Sequence, residues 1–394
     1  MNIGYFTTSF PYKNPITGEC IRQCSYGGVE VGTYNLAVEM AKIGNNVSVF
    51  TSSIDSKDSI EKYRNINVYR YGKNFTIGSA PISLRLLYKP INYEMDIAHG
   101  HLGNLPAPLA AYLYSKKKKK PFVISYHGDY IGGFGGIPRR VGVFLHNKCI
   151  VHKLLSSADV VIALSESQVK DSKFLSRYSN KIKIIPDGIN LEEFNIPYSK
   201  EECRDSLGLN IDEKIILFVG TLYPVKCPDV LLRAVSIVLK DIPNTKLIFM
   251  GEGILKEKLI ELSKKLGIDK YIKFTGFISD ARTKAMYYKM ADVFVLPSMS
   301  EGFGIVLLEA SACGLPLVVS DLGVFKTIVK DEYNGLFTKT GNEKDLADKL
   351  IYLLENEDVR ERMGKNGRER VKNYSWDKIV EKIVRIYQEL GGKK

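Results

Sequence analysis

Residues 291–321 read ADVFVLPSMSEGFGIVLLEASACGLPLVVSD. Two short apolar runs, 292–297 and 316–320, bracket a Ser/Gly-rich turn and an apolar segment of helical length. That order spells strand, helix, strand, and strands joined through a helix lie parallel. Two carboxylates stand in the stretch. Glu301 occupies the turn, and Glu309 follows eight residues later among Ile305, Val306, Leu307, Leu308 and Ala310. A surface helix would carry more charge than this, and a core helix none, because an isolated buried carboxylate is costly.

The same alternation extends in both directions. Strands are expected at 214–220, 245–250 and 271–276, with helices at 228–240, 255–266 and 281–290. In the first half the expected strands are 3–10, 47–52, 66–71, 95–99, 122–126, 159–164 and 182–186, with a helix over 33–42 closed by Gly44. Two such series imply two doubly wound α/β domains, and 394 residues suit two cores better than one. The polar, turn-rich join is DGINLEEFNIPYSKEECRDSLGLNID (187–212), which divides the chain into 1–190 and 191–375. A last helix, 376–394, places Ile379, Ile383, Ile386 and Leu390 on one stripe that must pack on something, the first domain being one option.

Composition bounds the class. Hydrophobic residues make up 45% and charged residues 25%, as in soluble globular proteins. Met1–Phe10 has no basic n-region, and the longest uncharged stretch, 97–115, contains His99, His101, Asn104, Pro106 and Pro108. Neither reads as a targeting or membrane segment, so a cytoplasmic chain is expected. The six cysteines form no C-x-x-C pair, which favours reduced thiols over a zinc site or a disulfide framework. Of the net charge of +12, residues 1–190 supply +11, with 24 Lys and Arg against 13 Asp and Glu. The excess, including Lys116–Lys120, is either a solvated face or an attraction to anionic membrane or an acidic acceptor. No nucleic-acid module accompanies it.

Ligands of open α/β sheets sit beyond the carboxyl ends of the strands, so the turns there carry the chemistry. After 214–220, GTLYPVKCPD places Lys226 before a helix start, where an ammonium and helix dipole attract phosphate. From spacing alone, one surface lysine among many is the stronger reading of Lys226. After 245–250, Gly251 and Gly253 bracket a compact loop that a ligand can approach closely. After 292–297, Gly302 and Gly304 let the amides of Phe303, Gly304 and Ile305 point at one spot. Glu301 and Glu309 flank that spot, and each can accept from two adjacent hydroxyls of a sugar or a ribose. In the first half, Gly27 and Gly28 open a helix, and His127 and Asp129 end strand 122–126 ahead of the glycine loop YIGGFGG (130–136). His99 and His101 read as packing or orienting residues. The dinucleotide fingerprint, the G-K-[ST] phosphate loop and the D-x-D metal triplet are absent.

These motifs resemble the retaining glycosyltransferases of family GT4. VGTLYPVKCPDVLLRA, FMGEGILKEKLIELSKKLGI, KFTGFIS, the opening stretch and NGLFT fall in the family's order, and GGVEVGTYNLAVEMAKIGNNVSVFT, DIAHGHLGN, YHGDY and IPDGINLEEF match more loosely. The resemblance implies the GT-B fold, two Rossmann-like domains facing across a cleft, with the last helix returning to the first. It implies that Glu301 contacts sugar hydroxyls, Glu309 binds the nucleotide ribose and Lys226 neutralises the diphosphate. The amides of Gly302, Phe303, Gly304, Ile305 and Val306 would hold sugar and diphosphate. Gly28 would approach the phosphates, His127 the transferred sugar, and Gly251, Gly253, Phe277 and Ile278 the base. Thr221 stands where the family usually has an arginine, and Cys227 where glycine is common and is expected to be neutral. The donor would be a nucleoside-diphosphate sugar, used without cofactor or metal. The acceptor would be lipid-linked, phosphorylated or a saccharide, with the enzyme peripheral on the inner face of the membrane. A sugar-nucleotide epimerase on the same architecture, or a non-catalytic relative, is the alternative.

Overall fold

A computed structural model describes residues 1–19, 21–22, 27–77, 80–103, 105–129, 143–144 and 146–391. The glycine loop 130–136, most of 139–146, Cys20 and Cys24 lie outside the described residues. The chain divides into two units, one of Met1–Gly188 with Trp376–Lys394 and one of Ile189–Ser375.

In the first unit the chain runs β1 (Asn2–Phe6), α1 (Gly28–Lys42), β2 (Asn46–Ser52), β3 (Ser59–Tyr63), β4 (Ile66–Tyr71), β5 (Phe75–Ile77), β6 (Ala80–Ile82) and β7 (Ile97–Leu102). It continues with α2 (Ala107–Lys118), β8 (Phe122–Tyr126), α3 (Val151–Ser157), β9 (Val160–Ala163), α4 (Glu166–Asp171) and β10 (Ile182–Ile184). The main sheet has the order β10-β9-β8-β7-β1-β2-β4-β3 among the described residues. All neighbours are parallel except the edge strand β3, which is antiparallel to β4. That edge departs from the parallel pattern expected of the sequence. Ser59–Tyr63 carries Glu61 and Lys62 and little apolar surface, so no periodicity marks it. Glu61 serves to hold the fully buried Arg70 at 2.6 Å, whose other nitrogens donate to the carbonyls of Phe10 and Pro11 at 2.8 Å. Helix α1 begins five residues before the expected start because the Glu30 carboxylate accepts the Gly27 N–H at 3.1 Å and caps it.

The second unit contains α5 (Lys200–Ser206), β11 (Lys214–Val219), α6 (Pro228–Asp241), β12 (Thr245–Met250), α7 (Lys256–Lys265) and β13 (Ile272–Gly276). Then come α8 (Ala281–Lys289), β14 (Val293–Leu296), α9 (Ile305–Ala312), β15 (Leu317–Ser320), β16 (Gly335–Thr338), α10 (Glu343–Glu355) and α11 (Glu357–Val371). Its parallel sheet runs β13-β12-β11-β14-β15-β16, the doubly wound order in which the chain reverses direction between β11 and β14. The first unit reverses between β1 and β7.

Helix α12 (Trp376–Gly391) belongs to the first unit. Trp376, Ile379, Val380, Ile383, Ile386 and Tyr387 are buried in one cluster with Tyr5, Leu36, Met40, Val49 and Ile162. At about 1.5–3 kcal/mol for each fully buried large apolar side chain, the stripe is a major part of that core. The start of α12 is fixed by a close approach, since a Cβ at Gly188 would lie 2.5 Å from Trp376 Cδ2.

Candidate active site

In the second unit the turns after β11 and β14 flank the reversal point, and the marked residues gather there. Lys226 Nζ forms an ion pair with Glu301 Oε1, and Ser298 Oγ donates to the same oxygen at 3.3 Å. Both charged side chains are largely buried, at 20% and 10% exposure. Lys226 is therefore not one surface lysine among many: it is held against the first glutamate of the opening stretch. Gly304 has φ +92°, a left-handed angle that favours glycine, and it turns the chain into α9 at Ile305. The first amides of α9 have no partners within the helix, which gives this end its positive character. Gly302, Ile305 and Val306 are half-buried beside it, while the Phe303 side chain is buried and faces Tyr374.

Glu309 is buried but not unmet. Tyr288 donates to Oε2 at 2.6 Å and Lys284 to Oε1 at 2.5 Å, so protein partners already satisfy the carboxylate that the sequence left unexplained. The two partners lie four residues apart on one face of α8, a spacing that puts them together but does not point to Glu309. Burial and the neighbouring carboxylate together push the Tyr288 hydroxyl far up, so it stays a donor.

Gly251 and Gly253 are required by their own neighbours. Gly251 has φ +148°, and a Cβ there would lie 1.9 Å from Gly220 O; at Gly253 it would lie 2.5 Å from Leu222 O. The tight approach expected at this loop is thus to the turn after β11, with Leu222 N–H donating to Glu252 O at 2.9 Å. β12 and β13 are neighbours, so Gly251 lies beside Gly276, and Phe277 and Ile278 follow it directly. The Phe277 ring is half-exposed there. Thr221 is exposed. Cys227 is not a neutral exchange for glycine: it sits at φ +51° before α6, where a side chain is strained.

In the first unit, Thr7, Thr8, Glu30, His101, Gly103, His127, Gly128 and Asp129 line a cavity of about 220 Å³ at the reversal between β1 and β7. Gly28 is exposed at the start of α1. His127 Nε2 lies 3.1 Å from His101 Nδ1, and the two rings stack with centroids 5.4 Å apart. His99 stacks on His101 in turn, and its nitrogens meet Tyr387 OH of α12 at 2.5 Å and Ser125 Oγ at 2.8 Å. Burial lowers His127 to about 4 and His99 to about 3, so the rings are neutral at pH 7. Asp129 accepts from Ser172 Oγ at 2.7 Å and from the Lys173 amide at 2.9 Å. Asp187 opens the polar join and no motif in the sequence marks it. Desolvation raises it to about 7.

Two family models match, Glycosyl transferases group 1 over residues 199–370 and Glycosyltransferase Family 4 over residues 26–193. An uncharacterised glycosyltransferase of Methanocaldococcus jannaschii is 31% identical over 92% of this chain and 94% of its own length. A D-inositol 3-phosphate glycosyltransferase of Saccharomonospora viridis is 28% identical over 92% and 89%. Sucrose-phosphate synthase from Thermosynechococcus elongatus superposes with a TM-score of 0.79 over 100% of both chains at 23% identity, which makes the fold GT-B. With paired Lys226 and Glu301 at one reversal point and the histidine stack at the other, the chain belongs to the family 4 glycosyltransferases.

Proposed function

We propose that the protein is a retaining hexosyltransferase. It moves a hexose or N-acetylhexosamine from a nucleoside-diphosphate sugar to an acceptor hydroxyl, without a metal or cofactor. The observation that carries this reading is the convergence of Lys226, Glu301 and the start of α9 at the reversal point of the second sheet. A diphosphate placed there competes with Glu301 for the Lys226 ammonium and meets the α9 amides. Glu301, released from the lysine, then accepts from sugar hydroxyls. Phe277 offers a face to the base, and Glu309, oriented by Tyr288 and Lys284, keeps lone pairs for the ribose diol.

In the reaction the acceptor oxygen bonds to the anomeric carbon on the face the diphosphate is leaving. The carbon–oxygen bond to the β-phosphate breaks, and the acceptor proton passes to that phosphate oxygen. The protein then acts mainly by stabilising the departing charge. A phosphorylated, lipid-linked or saccharide acceptor agrees with the +11 charge of residues 1–190 and with the phosphorylated inositol in the name of the Saccharomonospora relative. The same charge supports peripheral attachment to anionic membrane on the cytoplasmic side, and among the described residues no helix is long and apolar enough to cross one.

The test is hydrolysis and transfer with UDP-, GDP- and ADP-sugars, with anomer analysis of the product. A donor-dependent α-linked product whose formation falls about 10²–10³-fold in Lys226→Ala supports the reading. Release of an epimerised sugar assigns the epimerase reading instead, and binding of donor without turnover assigns the non-catalytic one. Co-sedimentation with anionic vesicles at low salt tests the membrane attachment, which is wrong if the protein stays in the supernatant.

A further inference from the structure

Among the described residues of the first unit, three polar groups without a protein partner border one small cavity. His101 Nε2 and Trp376 Nε1 are buried without a hydrogen bond. The Asp187 carboxylate, for which no hydrogen bond is recorded among the described residues, borders the same space together with Gly32 and Ser125. A Cβ at Gly32 would lie 3.3 Å from Asp187 Oδ1, so the glycine is what gives the carboxylate its place. The cavity measures about 20 Å³, room for a single water molecule. A water there would lie among His101, Trp376 and Asp187, with the indole N–H a donor to it and the ionised carboxylate an acceptor from it.

The other side of His101 is engaged. Its Nδ1 faces His127 Nε2 at 3.1 Å, and two ring nitrogens at that distance share one proton between them. Which ring holds it depends on what His101 does with its far nitrogen. A carboxylate draws an N–H toward itself, so His101 keeps its proton on Nε2 and its Nδ1 is a lone pair. His127 must then carry its proton on Nε2, and its Nδ1 is a lone pair too. His127 lines the larger cavity together with Thr7, Glu30 and Asp129, and among the described residues no hydrogen bond to that Nδ1 is recorded.

We propose that Asp187, acting through a single bound water and His101, fixes the tautomer of His127, so that His127 presents Nδ1 as a hydrogen-bond acceptor to a substrate hydroxyl. Asp187 and His101 are positioning residues in this scheme. Trp376 supplies the water's second donor, which ties the start of α12 to the same arrangement. The assignment to a substrate hydroxyl rests on the glycosyltransferase reading, but the tautomer itself does not.

The experiment is ¹⁵N NMR of the full chain labelled only at histidine, of which there are five, with His101 and His127 assigned by single substitution. At pH 8.5, where Asp187 is ionised, both rings are expected to be protonated at Nε2, with His127 favouring that tautomer by about tenfold or more, the value of roughly one buried hydrogen bond. A wild-type spectrum with His127 protonated at Nδ1 overturns the proposal without any substituted protein. In Asp187→Asn the carboxylate is lost, and His127 should move to a mixture of tautomers. If His127 keeps its wild-type shifts in that variant, Asp187 has no such role. His101→Phe, which keeps a flat ring without nitrogens, should give the same mixture. Because no sugar nucleotide is present, a negative result here leaves the transferase reading standing, and loss of transfer activity alone leaves this one standing.

Discussion

At the scale of single residues, the chemistry of this chain lies in charges that are buried and then answered. Glu309 is answered by Lys284 and Tyr288, so Glu309→Gln should destabilise the second unit by about 1–3 kcal/mol while leaving Lys284 without its counter-charge. Thermal unfolding measures this, and an unchanged midpoint would mean the pair is solvent-screened. Lys284→Met should rescue part of the loss in the double variant, because it removes the orphaned ammonium. In the first unit the titration of neutral histidines and of Asp187 works in opposite directions. His99 and His127 fall from 6.5 to about 3 and about 4, so the unfolded chain takes up protons first and stability is lost as pH falls below 6.5. Asp187 rises from 3.8 to about 7, so its contribution is present at low pH and is lost as pH climbs through 7. Between pH 7.5 and 5 the two partly cancel. Asp187→Asn removes the offset, and its loss of stability over that interval should exceed that of the wild type. The single tryptophan, Trp376, sits beside these groups and reports the urea midpoint by fluorescence. Equal losses in the two proteins would contradict the assignment.

Among the elements, the turns decide more than the helices and strands that they join. Gly251→Ala places a methyl group 1.9 Å from Gly220 O at a left-handed φ, so the turns after β11 and β12 must separate. A cost of about 1–3 kcal/mol and a weakened donor site are expected, read as a lower unfolding midpoint and a raised donor Michaelis constant. A donor constant unchanged in a destabilised protein would place the base elsewhere. The same glycines show where sequence reading stops. The strands of both units were legible because parallel strands buried on two faces are nearly continuous apolar runs, as in IILFV (215–219) and VFVL (293–296). The edge strand β3 was not, because a strand covered on one side by a charged pair carries no alternation. In the site, Lys226 and Glu301 could be named from the turns that hold them, and Glu309 from the apolar run around it. Their partners could not: Lys284 and Tyr288 stand 25 and 21 residues from Glu309, and Lys226 and Glu301 stand 75 apart, distances that only the winding of the sheet brings together.

For the molecule as a whole, the order of the chain differs from the order of its units. Residues Ile189–Ser375 form the second unit, and both flanks, Met1–Gly188 and Trp376–Lys394, form the first. Within the second unit its two ends lie side by side, with Ile189 N–H donating to Tyr374 O at 2.8 Å and Ile189 bridged to Ser375. Ile383→Ala in α12 should therefore act on the first unit alone, costing about 2–5 kcal/mol there and shifting the Trp376 transition. A second transition that shifted equally would refute that independence. During synthesis this arrangement imposes a wait. The ribosome delivers Met1–Gly188 and then the whole of Ile189–Ser375 before Trp376 emerges, which at about 5–20 residues per second takes roughly ten seconds or more. Until then the surface that α12 covers, including Tyr5, Leu36 and Met40, is without its lid, whereas the second unit can close on itself as soon as it is made. The half of the protein translated first is the half that finishes folding last, and that interval is when a chaperone would find the nascent chain.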